Sequence, residues 1–296
     1  MAINRRRAPS SMISRQKKLD GHKKEQIYAE LIGGTVIKGT QKGDVRDKNG
    51  ELHSVKSGKK WPIFLYGYTR IIDSSYLNLL QPCLEAFPKN YTSYLKDRVK
   101  CIEYKEKYIS ENGREATKRL SNDYISKRLE PNNYIESKNR LKDATSSVYQ
   151  ELKDINNFKN FIEEAIFNTK EVTYLAILDS TYKQDYLFKV FHKKDVLDIL
   201  SEKLSPSVSI AGRVAEDYNV PGQKIILTYK NSNGKDKNIV EIEIRNDSSK
   251  HYRQVRFNMY SKDTLYLLLN DYRTLSREFL NEQVVLYGSA IKNLQD

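Results

Sequence analysis

Two Asn-Gly dipeptides, Asn49-Gly50 and Asn233-Gly234, each interrupt a run of strand-forming residues. Asn-Gly suits the positive backbone φ of a tight turn, and alternating apolar and polar residues give each flanking strand one apolar face, so both runs read as antiparallel hairpins. The first lies within GDVRDKNGELHSVKSG (43–58) and the second is KIILTYKNSNGKDKNIVEIEIR (224–245). Between them, from about Phe87 to Lys170, the chain turns to Lys, Glu, Asn and Tyr with few breakers, which reads as a helical insertion. Any fold must therefore combine sheet near both ends with helix in the middle.

The remaining segments fill in that frame. KKEQIYAELIGG predicts a helix from about Gly21 to Ile32, stopped at Gly33-Gly34. TVIKG is a short β-branched strand, and WPIFLYGY either extends the sheet or packs beneath it. SYLNLLQPCLEAF is helical, with Pro82 bending or dividing it. VTYLAILDS and DYLFKVF resume the sheet, HKKDVLDILSEKL is a helix, HYRQVRFNMY a further strand, and the closing KDTLYLLLNDYRTLSREFL is helical. The class is α/β (mixed α+β): a central mixed sheet flanked by helices. One elaborated domain over 21–296 follows a basic arm at 1–20, with the insertion at about 87–170 and a C-terminal β region at about 222–262.

Charge narrows the partners. Lys and Arg outnumber Asp and Glu by 51 to 38, a net +13, which favours polyanions and nucleic acid first. Residues 1–24 carry eight Lys or Arg against one Asp, over half the net charge, and read as a solvated tail or an arm that follows phosphates. No apolar run approaches the ~18 residues of a membrane span, and the N-terminus lacks the apolar core of a secretory signal, so a cytoplasmic protein is expected. Cys83 and Cys101 are too few for a disulfide scaffold, and His22, His53, His192 and His251 are scattered, which argues against zinc.

The first hairpin holds the residue types of phosphodiester hydrolysis. A carboxylate such as Asp44 can hold Mg²⁺, the ion polarises a phosphoryl oxygen, and a nearby lysine such as Lys56 orients or deprotonates the attacking water. Register decides whether they meet, because a one-residue slip reverses every side chain. A two-residue turn at Asn49-Gly50 sets Asp44 opposite Val55 and away from Lys56. A three-residue loop, Lys48-Asn49-Gly50, sets Asp44 opposite Ser54, so that Asp44, Ser54 and Lys56 share a face. The second register is predicted, since it alone builds a site. The alternative is that Asp44 and Lys56 are exposed hairpin charges with no further role.

Helix, strand, then Gly43-Asp44, nine residues, and Ser54-Val55-Lys56 resembles the catalytic core of the PD-(D/E)XK nucleases, above all type II restriction endonucleases. The resemblance covers about residues 20–66 and implies a restriction-endonuclease-like sheet and a Mg²⁺-dependent, sequence-specific cut of double-stranded DNA leaving 5′-phosphate ends. It makes Asp44 the metal-binding acid, Lys56 the lysine that positions water, and Glu25 the helical acid completing the metal shell, with Glu30 the competing choice. Gly43 stands where the family has Pro, and Ser54 where an acid is usual. Ser54 would then hydrogen-bond the water or a phosphate oxygen. A homodimer follows from the need to cut both strands, with the helical insertion as its surface, and a cognate DNA methyltransferase is expected as a genetic partner only.

Two basic stretches are candidate DNA contacts. Lys59 and Lys60 follow the hairpin and could hold the backbone, while Trp61 reads as a core anchor. RNDSSKHYRQVRF gathers Arg245, Asn246, Ser248, Lys250, His251, Arg253, Gln254 and Arg256, types that read base edges or bind phosphates. Its alternative is a solvated hairpin turn, and Glu241 and Glu243 before it lack acid-x-Lys spacing. Two rival functions stand beside the restriction enzyme: a structure-specific repair or junction nuclease of the same fold, and a non-catalytic basic nucleic-acid-binding protein.

Overall fold

The computed structural model describes residues 11–37, 43–86, 110–111, 131–168, 171–179, 186–209, 224–245 and 253–294. Its first helix, α1 (Ser11–Ile32), begins ten residues before the predicted start. Residues 11–20 contain no Pro and hold good helix formers, and Gln16 reaches Asp20 one turn on at 2.9 Å, so helix propagates through Gly21. The basic arm at 1–20 is thus helical from Ser11, and residues 1–10 lie outside the described residues. The C-terminus of α1 closes as expected, with Gly34 N–H donating to Ala29 O at 2.8 Å.

Twelve strands are described, in two sheets. The seven-stranded sheet runs β1 (Thr35–Val36), β2 (Val45–Arg46), β3 (Leu52–Lys56), β5 (Tyr174–Leu178), β6 (Phe188–His192), β12 (Val284–Tyr287), β11 (Arg277–Asn281) in spatial order. It is mixed: β1, β2 and β3 form an antiparallel meander, β3 pairs parallel with β5, β5 antiparallel with β6, and β6 parallel with β12. The five-stranded sheet runs β4 (Lys60–Gly67), β10 (Gln254–Tyr260), β9 (Asp236–Arg245), β8 (Lys224–Lys230), β7 (Ser205–Ser209). The second Asn-Gly turn joins β8 to β9, and WPIFLYGY, left open between two roles, enters this sheet as β4.

The helices after β4 are α2 (Tyr68–Ile72), a 3₁₀ turn at Asn78–Leu80 and α3 (Gln81–Glu85), where Pro82 falls in the first turn and needs no hydrogen-bond donor. Within the predicted insertion, α4 (Pro131–Glu151) and α5 (Ile155–Phe167) are helical, while 87–109 and 112–130 lie outside the described residues. Then follow α6 (Lys193–Lys203), α7 (Ser261–Leu269) and α8 (Ser289–Leu294). Burial pushes the Cys83 thiol up to about 12, so it stays protonated.

The last stretch corrects the sequence reading. Helix ends at Leu269, Asp271 caps a 3₁₀ turn by accepting from Arg273 N–H, and REFLN and VVLY are strands β11 and β12. Residues of β11 are exposed on both faces and those of β12 buried on both, so neither shows the alternation that marks a strand. Strand β7 was missed for its small polar residues and Pro206.

Where one domain over 21–296 was expected, the chain gathers into two compact units. One comprises Met1–Trp61, Phe167–Ile199 and Thr264–Asp296, the other Pro62–Ile166 and Leu200–Asp263. The first holds the seven-stranded sheet. Its core packs Tyr28 and Ala29 of α1 and Ala290 of α8 against Val45, Val55, Tyr174, Ala176, Phe188, Val190, Val284 and Leu286. These residues define one face of the sheet; by the two-residue period of strands, Ser54, Lys56, Ile177 and Lys189 stand on the other.

Candidate functional site

Register is the first determinant of the site. Val45 pairs with His53 and Arg46 with Leu52, the three-residue-loop alignment that puts Asp44 beside Ser54. The loop closes through Asp47 N–H to Glu51 O at 3.0 Å and Gly50 N–H to Asp47 O at 3.2 Å. Gly50 has φ +85°, open to glycine without strain. The Asp47 carboxylate ties the loop further, its Oδ1 accepting from Asn49 N–H at 3.0 Å and Glu51 N–H at 2.8 Å. A Cβ at Gly43 would lie 2.9 Å from Leu52 Cδ1 and 3.0 Å from its Cβ, so the close approach of Leu52 favours glycine there.

With the register set, Asp44, Ser54 and Lys56 converge. Asp44 Oδ2 accepts from Val55 N–H at 2.7 Å, Ser54 Oγ–H at 3.3 Å and Lys56 Nζ at 3.4 Å. The Lys56 and Asp44 side chains are 14% and 23% exposed, shielded enough to interact strongly and open enough to meet a ligand. All three donors meet one oxygen, and among the described residues Oδ1 meets no donor, which leaves it to receive a cation. Mg²⁺ suits such a donor, since it takes one or two protein carboxylates and completes its octahedron with water and phosphate oxygens. Among the described residues no group of three or more His, Cys, Asp and Glu gathers as a metal site, so the fit is to this minimal arrangement.

The helical acid is placed differently. Glu25 Oε2 lies 2.9 Å from His22 Nδ1 within α1, and Glu30 Oε1 accepts from Gln26 at 3.4 Å. Helix α1 packs on the sheet face that carries Val45 and Val55, opposite the face of Ser54 and Lys56. The structure thus brings together Asp44, Ser54 and Lys56 and gives Glu25 and Glu30 partners on their own helix.

Beneath the site runs a buried chain that sequence reasoning passed over. His53 Nε2 lies 3.2 Å from Asp47 Oδ2, His53 Nδ1 lies 2.9 Å from Tyr28 Oη, and the imidazole stacks on Tyr174 at 4.5 Å. An ionised Asp47 carboxylate only accepts, so Nε2–H donates to it, and the Tyr28 hydroxyl is the hydrogen-bond partner of Nδ1. Burial raises the Tyr28 hydroxyl well above its usual range, with the nearby Asp47 charge adding to the shift, which keeps it a donor. Burial alone would raise the Asp47 carboxyl too, but the His53 hydrogen bond, the Glu51 and Asn49 amides and the His53 charge together hold it below its usual range. The one signal in the sequence was period two: His53 falls on the apolar side of its strand.

The second basic stretch is only partly described. Asn246, Ser248, Lys250 and His251 lie outside the described residues. Arg245 pairs with Gln254 across β9 and β10. Arg256 forms an ion pair with Glu243 on the same sheet, and Arg253 sets its guanidinium 5.0 Å from the Tyr68 ring. Glu241 is buried, accepting from Tyr260 Oη–H at 3.0 Å and facing Lys224 Nζ at 3.3 Å. Lys59 and Lys60 are exposed, while Trp61 is a buried anchor donating from Nε1 to Gly58 O at 3.1 Å. No helix among the described residues is long and apolar enough to cross a membrane. No protein-family model, curated protein or solved structure matches the chain.

Proposed function

We propose that this chain is a Mg²⁺-dependent endonuclease of the PD-(D/E)XK type, cutting double-stranded DNA at specific sequences in the manner of a type II restriction enzyme. The observation that carries this reading is the convergence of Ser54, Lys56 and the Val55 amide on one oxygen of Asp44. An acid, a hydroxyl and a lysine together on a basic protein support the reading. When bound, Mg²⁺ would neutralise charge on the scissile phosphate during in-line displacement.

The chain's own residues do the rest. Asp44 would hold the cation while its Oδ2 fixes the Lys56 ammonium. Lys56 Nζ–H donates to the attacking water and orients its lone pair toward phosphorus. Ser54 Oγ–H turns to a phosphoryl oxygen as charge grows there. The water oxygen–phosphorus bond forms, the phosphorus–O3′ bond breaks, the water proton passes to solvent and the 3′ oxygen gains one, leaving 5′-phosphate and 3′-hydroxyl ends. Lys59 and Lys60 track the backbone, and the 245–256 stretch reads the sequence.

The test is incubation of the protein with unmethylated plasmid, with Mg²⁺ or EDTA, beside Asp44→Ala and Lys56→Ala. Discrete Mg²⁺-dependent fragments are expected from the wild type, with each variant slower by about 10²-fold or more. Irregular cutting at junctions or distortions would favour the structure-specific nuclease. Binding without cleavage would make the hairpin a scaffold in a nucleic-acid-binding protein, a reading that the absent acid at position 54 favours.

A further inference from the structure

A second acid–lysine pair lies on the sheet face that bears Lys56. Lys56 is in register with Ile177 on β5, and Ile177 with Lys189 on β6, so the three side chains form one cross-strand row. With neighbouring strands about 4.8 Å apart, the two lysine Cα atoms stand about 9–10 Å from each other. Asp179, two residues past Ile177 and therefore on the same face, receives the Lys189 ammonium at 2.6 Å. The Lys189 and Asp179 side chains are 12% and 6% exposed, so Lys189 is as sheltered as Lys56 at 14%. Lys56 ends β3 and Asp179 follows the last residue of β5, and these strands run parallel, so both pairs lie at the edge of the sheet where β3 and β5 end, the kind of edge at which open α/β sheets bind ligands.

A sheltered Asp–Lys pair adds little to stability, because desolvation offsets the attraction. It does orient an ammonium that has three donors, of which Asp179 takes one. Among the described residues the other two donors meet no partner, which leaves them for an anion on the face where Lys56 stands. We propose that Lys189, held by Asp179, is a second backbone-phosphate contact of this chain, gripping the nucleic-acid strand to one side of the phosphate that Lys56 faces. The proposal rests on reading the Asp44 hairpin as a phosphodiester site. Asp179 is a positioning residue for Lys189 and does not share a cation with Asp44, since register sets the two carboxylates on opposite sides of Lys56.

The experiment is binding of a labelled DNA duplex in EDTA, where no cutting occurs, as a function of KCl concentration. Wild type is compared with Lys189→Arg, Lys189→Met and the double variant Asp179→Asn/Lys189→Met, which removes both charges of the pair. Losing one phosphate contact lowers the slope of log affinity against log salt by about 0.9, and weakens binding equally on every sequence. That loss is expected for Lys189→Met and for the double variant, with the slope retained in Lys189→Arg. A purely structural pair would change the melting temperature and leave the slope alone. An unchanged slope in the folded double variant overturns the proposal, whatever the cleavage assay shows; a wild type that binds no DNA overturns the nuclease reading and this inference together.

Discussion

At the scale of single residues, what holds the site in register lies beneath it. Asp47 anchors the hairpin loop with one oxygen and His53 with the other, and His53 passes the connection to Tyr28 on α1. Tyr28→Phe would keep the ring's packing and leave His53 Nδ1 unpaired in the core, a loss of about 1–3 kcal/mol measurable by urea denaturation. Asp47→Asn should destabilise as well, with a distinct pH signature. The Asp47 carboxyl is held below its unfolded value, so its contribution is complete above about pH 4 and lost as pH falls through the folded value. The gap between wild type and variant should therefore narrow in acid. A gap constant from pH 7 to pH 3 would remove ionised Asp47 from the network. The alternation that set Asp44, Ser54 and Lys56 on one face was legible from the residues. The Tyr28–His53–Asp47 chain was not, because it joins a helix to a strand 25 residues away and no local pattern announces such a contact.

At the scale of elements, the loop of the first hairpin decides whether Asp44 meets Ser54 and Lys56. Lys48, Asn49 and Gly50 form a three-residue connection, and the alternative two-residue turn fits the same letters almost equally well. Inserting one alanine between Asp44 and Val45 leaves Val45 paired with His53 and should set Asp44 opposite Val55, moving it from the Ser54 side of the sheet to the side facing α1. Cleavage should fall by about 10²-fold or more, the effect of displacing a catalytic group by an ångström or so, while duplex binding, which rests on other lysines and arginines, is retained. Cleavage at the wild-type rate would mean that the register does not build the site. Both hairpins, α1's ending and the strands β5 and β6 were readable, since turn residues and β-branched runs act locally. The pair β11 and β12 was hidden because an edge strand exposed on both faces and an inner strand buried on both lack the period-two signal. The start of α1 was hidden because a glycine at position 21 looks like a boundary and costs a long helix only about 1 kcal/mol.

At the scale of the whole molecule, charge and stoichiometry are the quantities to test. On the proposed reading a net charge of +13 implies nucleic-acid binding that weakens steeply with salt, an expectation that follows from composition. The division into two units did not, because each is assembled from separated stretches of chain and no linker-like composition marks the crossings at 61/62, 166/167, 199/200 and 263/264. On the proposed nuclease reading one Asp44–Lys56 site per chain would cut one strand, so a double-strand cut at a symmetric sequence would take two copies related by a two-fold axis. Supercoiled plasmid should then pass to the linear form with little nicked circle on the way. Mixing wild type with excess Lys56→Ala protein should pair an active with an inactive copy and make nicked circles accumulate, resolved from linear DNA on an agarose gel. A monomer that cuts and releases would produce nicked circles on its own, and the inactive protein would slow it only by competing for DNA, without altering the ratio of nicked to linear product. That result would withdraw the homodimer and turn attention to the single-strand cuts of a structure-specific enzyme.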